Sequence, residues 1–359
     1  MRRGCFSACA ALAIGFVLLR PPVQAQFVYV ANGGGSNNIS AYRIGAGGAL
    51  APIPGSPFAT EDLPSSVVVD ATGRLAYVVN EGSNNVSAYR IGPDGSLAPI
   101  PGSPFPAGSN PHSVAVDPMG RFAYVANAVS NNISAYRIDP DGALAPIPGS
   151  PFTAGNFPRS VVVGRTGKFV YVANEVSDSV SAYQIGPNGA LTPIPGSPFA
   201  AGIGPLAVVV EPTGKFVYVA NEGENGISAY RIGAEGALTP VPGSPFATCS
   251  DPHDIAVEPT GKFAYVGNEL SDNISGYCIE ADGALTPLAG SPFSAGLSPF
   301  SVAVSPAADF VYVANKFGEN VSAYRIGSKG ILIPIAGSPF AAGAQPCSVT
   351  VGISARNEK

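Results

Sequence analysis

"FPRSVVVGRTGKFVYVANE", Phe157 to Glu175, decides the fold of this chain because near-copies of it occur six more times, the last one cut short. A short apolar run from Ser160 leads into "RTGK" (Arg165–Lys168), and "FVYVAN" (Phe169–Asn174) follows. Short runs rich in Val, Tyr and Phe on either side of a glycine turn read as two strands of a hairpin. Further along each copy come "ISAYRI" (Ile133–Ile138), the turn signal "DPDG" (Asp139–Gly142) and the weaker strand "ALAPI" (Ala143–Ile147). No stretch carries helical periodicity. The tetrapeptide "GSPF" begins at Gly55 and returns every 47 residues to Gly337. A period of that size marks a propeller or a solenoid. Four antiparallel strands per copy, seven times over, predict an all-β, seven-bladed β-propeller.

The chain ends favour a closed ring. The repeat region starts in a second strand, "FVYVAN" from Phe27, and stops after a first strand, Cys347–Ile353. The last segment is therefore expected to join the N-terminal blade, leaving no open sheet edge. Residues 26–359 read as a single domain. The abundant glycine and proline, 44 and 36 residues, recur at fixed places and so indicate ordered turns.

Residues 1–25 read as a separate object. Arg2 and Arg3 precede an apolar stretch from Cys5 to Leu19, and "RPPVQA" ends in small residues, the pattern of a signal peptide cleaved after Ala25. The apolar stretch is short for a membrane span. The expectation is an exported protein, periplasmic or secreted. Removing the segment's three arginines takes the formal charge from −5 to −8. An acidic chain without a basic stripe argues against nucleic-acid and anionic-membrane partners. Cys249, Cys278 and Cys347 remain, with no obvious pairing among their repeat positions.

One slot escapes the repetition. The residue after the proline that opens each first strand is Ser65, His112, Arg159, Leu206, His253, Phe300 or Cys347. In a propeller the first strands line the central channel, so these side chains are expected around one mouth. Hairpin counting about "RTGK" sets Arg159 roughly opposite Glu175, within cross-strand reach. Blade 6 offers His253 and Glu269 in the same places, flanked by Asp251 and Asp254, and blade 3 offers His112 opposite Ala128.

These residues resemble the seven-bladed propeller lactonases, which include the 6-phosphogluconolactonases and the fungal carboxymuconate lactonizing enzyme. The resemblance runs through all seven blades, with "YVAN" second strands and "GSPF" outer strands. It is carried most specifically by "NPHS" (Asn110–Ser113), "FPRS" (Phe157–Ser160) and "NE" (Asn174–Glu175). It implies that His112, Arg159 and Glu175 occupy the family's catalytic positions. Asn127, Ser160, His253 and Glu269 are the candidate substrate contacts. The chain departs from the family pattern at Ser160, where a histidine is usual, and at Glu222 and Glu269, where later "NR" motifs carry arginine. The expected activity is hydrolysis of a sugar-acid or related lactone at the channel rim. His112 would act as base or proton shuttle, Arg159 as carboxylate anchor, and Glu175 as the group that orients it or shares the base role. An exported protein would not meet 6-phosphogluconolactone, which is made in the cytoplasm.

A second reading stands beside it: a non-catalytic module, similar to bacterial "YVTN"-repeat surface proteins, that binds a protein or glycan. The near-identity of the blades and the recurrence of glutamate after the second strand (Glu81, Glu175, Glu222, Glu269) favour that reading. An exposed Arg–Glu pair is worth only about 0–1 kcal/mol and needs no function. The recurring asparagine of "YVAN" also reads as a loop stabiliser. Neither a cofactor nor a metal is expected: His112 and His253 lie nearly opposite in a ring of seven, and Asp251, Asp254 and Glu269 lack a calcium-loop spacing.

Overall fold

The computed structural model describes residues 25–354. The signal-like segment, apart from Ala25, lies outside the described residues. Seven antiparallel sheets stand around one axis, and among the described residues the only helices are three single 3-10 turns. Blade 4 shows the pattern: Pro158–Val163 lines the axis, Phe169–Asn174 and Ser179–Ile185 follow outward, and Leu191–Pro193 forms the edge. A fifth strand of two residues, Phe199–Ala200, also pairs with Ser179–Ile185, opposite Ser179 and Val180. The outer edge of each blade is thus broken into two pieces around the "GSP" turn, a detail finer than the four strands read from sequence.

Closure follows the expected scheme. Pro346–Ile353 pairs antiparallel with Gln26–Asn32, with Val351 opposite Val28 and Val349 opposite Val30. The first and last segments of the repeat region therefore complete one sheet.

The second strand repeats so faithfully because both of its faces are buried between neighbouring blades. Tyr171 is 0% exposed and its hydroxyl donates to the Gly236 carbonyl of blade 5 at 2.9 Å. The same bond recurs around the ring and crosses the seam, from Tyr312 in blade 7 to Gly48 in blade 1. Gly236 has a positive φ of 84°, and a Cβ there would meet Ile194 and Phe169 at 2.6 Å. Both the turn and the close approach require glycine. The tyrosines of the third strand tie back the other way, as Tyr183 does to the Thr153 carbonyl at 2.6 Å.

Candidate functional site

The variable slot has a structural cause. In every blade the register between first and second strands slips at this residue: Pro158 pairs with Asn174 and Ser160 with Ala173, so Arg159 is the extra residue of a β-bulge. The slip recurs at Ser65, His112, Leu206, His253, Phe300 and Cys347. A bulge re-aims its extra side chain out of the sheet's alternation. All seven bulge residues line the central channel together, in a cavity of about 100 Å³. Direct cross-strand pairing of Arg159 with Glu175, inferred from hairpin counting, is therefore corrected. The bulge residue has no register partner, although the two side chains still meet.

They meet as part of a chain that crosses three blades. Arg159 Nε lies 3.2 Å from Glu175 Oε2, and its Nη1 donates to His112 Nε2 at 2.7 Å. His112 Nε2 also lies 3.4 Å from Glu81 Oε2, and Glu81 Oε1 accepts from Asn110 Nδ2 at 2.8 Å. Because Arg159 can only donate, His112 Nε2 must accept, which places the ring proton on Nδ1. Burial, then the Arg159 guanidinium and Lys316, push His112 from its ordinary 6.5 down to about 3. The imidazole is neutral at any physiological pH. Burial raises the Glu175 carboxyl above the usual range, Arg159 opposing it and Glu222 adding to it.

The repeat explains why Glu175 is free to hold Arg159. The glutamate after the second strand elsewhere reaches the residue before the proline of the next blade: Glu81 holds Asn110, and Glu269 Oε1 accepts from Ser298 Oγ at 2.8 Å. In blade 5 that residue is Gly204, which offers no side chain. In blade 6 it is Asp251, which only adds negative charge. Burial together with Glu222 and Glu269 raises Asp251 to about 6.

A cavity of about 340 Å³ opens beside this chain, lined by Glu81, His112, Arg159, Phe300, Lys316 and Cys347 among others. Glu175 is not among its walls. Lys316 follows the second strand of blade 7, its Nζ 4.1 Å from the centre of the Phe300 ring. Glu81 and Lys316 escaped the sequence reading. Glu81 is one of four glutamates in equivalent places, and the signal that singles it out is the histidine one blade on. Lys316 is the one cation in that slot.

The remaining candidates separate. Asn127 is 0% exposed, and its amide is consumed by Asn132 Oδ1, Ser134 Oγ and the Gly108 N–H. It braces the loops and presents nothing to the mouth, so its assignment as a substrate contact is corrected. Ser160 lines the channel one level below the rim, where its Oγ accepts the Val208 N–H of the next blade at 3.2 Å. His253 is turned away from Glu269: its Nδ1 bonds the Phe300 carbonyl at 2.9 Å and its ring stacks on Phe300 at 3.4 Å. Burial and Arg159 hold its pKa well below 6.5. Asp254 occupies the serine level of the channel, accepting the Val302 N–H at 2.8 Å, with burial raising its pKa. The Cys347 thiol donates to the Pro64 carbonyl and is pushed up to about 12 by burial, which leaves it protonated. Among the described residues no cluster of His, Cys, Asp and Glu is arranged to hold a metal ion.

The family model for a seven-bladed β-propeller lactonase matches residues 22–104 and 106–293. The chain belongs to this lactonase family. Its sheets also resemble solved structures. A putative 6-phosphogluconolactonase from Bacteroides fragilis superposes with a TM-score of 0.80 at 21% identity, covering 91% of this chain and 98% of that one. The Pseudomonas aeruginosa periplasmic gluconolactonase gives 0.80 at 20% identity, covering 92% and 100%. No curated protein matches. At such identities the superpositions bear on the fold of this lactonase-family chain alone, and its chemistry rests on its own residues. Among the described residues no helix is long and apolar enough to cross a membrane.

Proposed function

We propose that this chain hydrolyses a sugar-acid or related lactone at the mouth of its central channel, outside the cytoplasm. The observation that carries the reading is the Glu81–His112–Arg159 arrangement on the wall of one cavity, in a lactonase-family chain. The Pseudomonas aeruginosa protein of similar fold, a periplasmic gluconolactonase, supports both the substrate class and the place.

The chemistry divides among these groups as follows. Water adds to the lactone carbonyl, negative charge gathers on the carbonyl oxygen, and the ring C–O bond breaks to leave a hydroxy acid. Arg159 carries a fixed positive charge at the cavity wall and stabilises the oxyanion. Glu81, the carboxylate that lines the cavity, takes the proton of the attacking water. Glu81 then returns that proton to the departing ring oxygen, while His112, neutral and accepting from Arg159, holds the guanidinium beside Glu81. Glu175 holds the guanidinium from outside the cavity and so positions it. The sequence-based triad thereby keeps its members, with His112 moved from base or shuttle to positioning group and Glu81 added as the base.

Hydrolysis of glucono-1,5-lactone, followed by acid release above the spontaneous rate, tests this. The wild type is expected to accelerate it and Arg159→Ala to lose about 100-fold or more in kcat/KM, as the removal of one oxyanion partner does. An Arg159→Ala variant with full activity sinks the proposal.

A further inference from the structure

The face that carries the mouth differs from the rest of the surface in a way the hydrolysis does not use. Of the large apolar side chains exposed among the described residues, all but Met119 and Ile333 project from this face. Val129, Val176, Leu270 and Phe317 share one repeat position, just after the slot that holds Glu175, and are 59%, 63%, 75% and 62% exposed. Leu63, Ile203 and Leu297 come from the adjoining loops that lead into the first strands. The two loop sets are tied edge to edge, as by the Val176 N–H on the Asn156 carbonyl.

These apolar tips come from blades 2 to 7 of one propeller face, an extent suited to a macromolecule rather than to a lactone. Exposed apolar side chains concentrated on one face among polar groups suit an interaction surface. The same loops carry carboxylates in blades 2, 4, 5, 6 and 7, among them Glu61, Asp178, Glu224 and Asp272. Their only cations are Arg159, already paired with Glu175, and Lys316, laid over Phe300. Taken together, blades 2 to 6 are nearly balanced at the opposite end, where turn residues such as Arg74, Arg121, Lys168, Lys215 and Lys262 offset the carboxylates. Two copies of this face would repel one another, whereas a basic surface with apolar side chains would find both complements.

We infer that the mouth face docks a basic protein segment through the apolar tips, with the surrounding carboxylates guiding it in. This goes beyond the lactonase reading and does not depend on it, since of the apolar tips only Leu63 lines the lactone cavity.

Isothermal titration with a synthetic peptide of alternating lysine and leucine, at low and high salt, provides the test. The wild type is expected to bind it, more weakly at high salt. The Leu270→Ser/Phe317→Ser double variant should bind about tenfold less tightly, the loss that removing apolar anchors of this size causes. An unchanged melting temperature and unchanged lactone turnover would show that the variant is folded. Equal binding by wild type and variant, or equally tight binding of a glutamate–leucine peptide, would overturn the inference. So would a wild-type dimer that disappears in the variant, which would assign the face to a second copy of this chain.

Discussion

The His112 environment makes a claim about acid that can be worked through. In the unfolded chain the ring titrates at its ordinary 6.5, and in the folded chain burial, Arg159 and Lys316 hold it to about 3. Below pH 6.5 the unfolded state therefore binds a proton that the folded state refuses, so stability present at neutral pH is lost as acid is added. The slope is about 1.4 kcal/mol per pH unit for one such group, so acidification to pH 4 removes about 3 kcal/mol through His112 alone. The ring is mostly buried, with 16% side-chain exposure, so solvent screening discounts this little. Two observations check it. The chain has two histidines, so a nitrogen–proton correlation spectrum of the imidazole rings resolves His112 directly. It is expected to remain neutral with its proton on Nδ1 down to pH 5. In denaturant melts, the wild type should lose about 3 kcal/mol more than His112→Gln between neutral pH and pH 4. A His112 ring that titrates near 6.5 would refute the reasoning, because the Arg159 contact could not then be the resting state.

Three further outcomes follow from the same geometry. Glu81→Gln should lower kcat by about 100-fold through loss of the base, whereas Glu175→Gln, which loosens Arg159 without removing it, should lower kcat less; the reverse order would return the base role to Glu175. The pH profile of kcat/KM should show no inflection near 6.5, because His112 is already neutral there; an inflection at that pH abolished by His112→Gln would contradict a neutral His112 accepting from Arg159. Asn127→Ala should cost about 2–3 kcal/mol in denaturant melts by orphaning the groups its amide satisfies, and an unchanged midpoint would remove it from the loop frame.

Much of this architecture is legible in the residues. The 47-residue return of "GSPF" and the out-of-phase ends fix seven sheets and a closed ring, because buried positions between identical blades admit few substitutions. The bulge is not legible. "PRSVVV" alternates as well with Arg159 in register as with it looped out, and only the pairing of Pro158 with Asn174 tells the two apart. Glu81 and Lys316 were hidden for a related reason. Their neighbours belong to other blades, so their meaning depends on which rim residues the ring brings side by side. Asn127 erred in the opposite direction: an amide beside a rim slot reads as a contact until its hydrogen bonds are counted.

The convergence of the bulge residues on one mouth is tested most directly by a crystal structure of the wild type with gluconate, the hydrolysis product, bound. The account predicts the sugar acid in the cavity beside Glu81, His112 and Lys316, its carboxylate against the Arg159 guanidinium. Gluconate seated on the outer surface of the blades or at the far end of the channel, with Arg159 still holding His112, would contradict it.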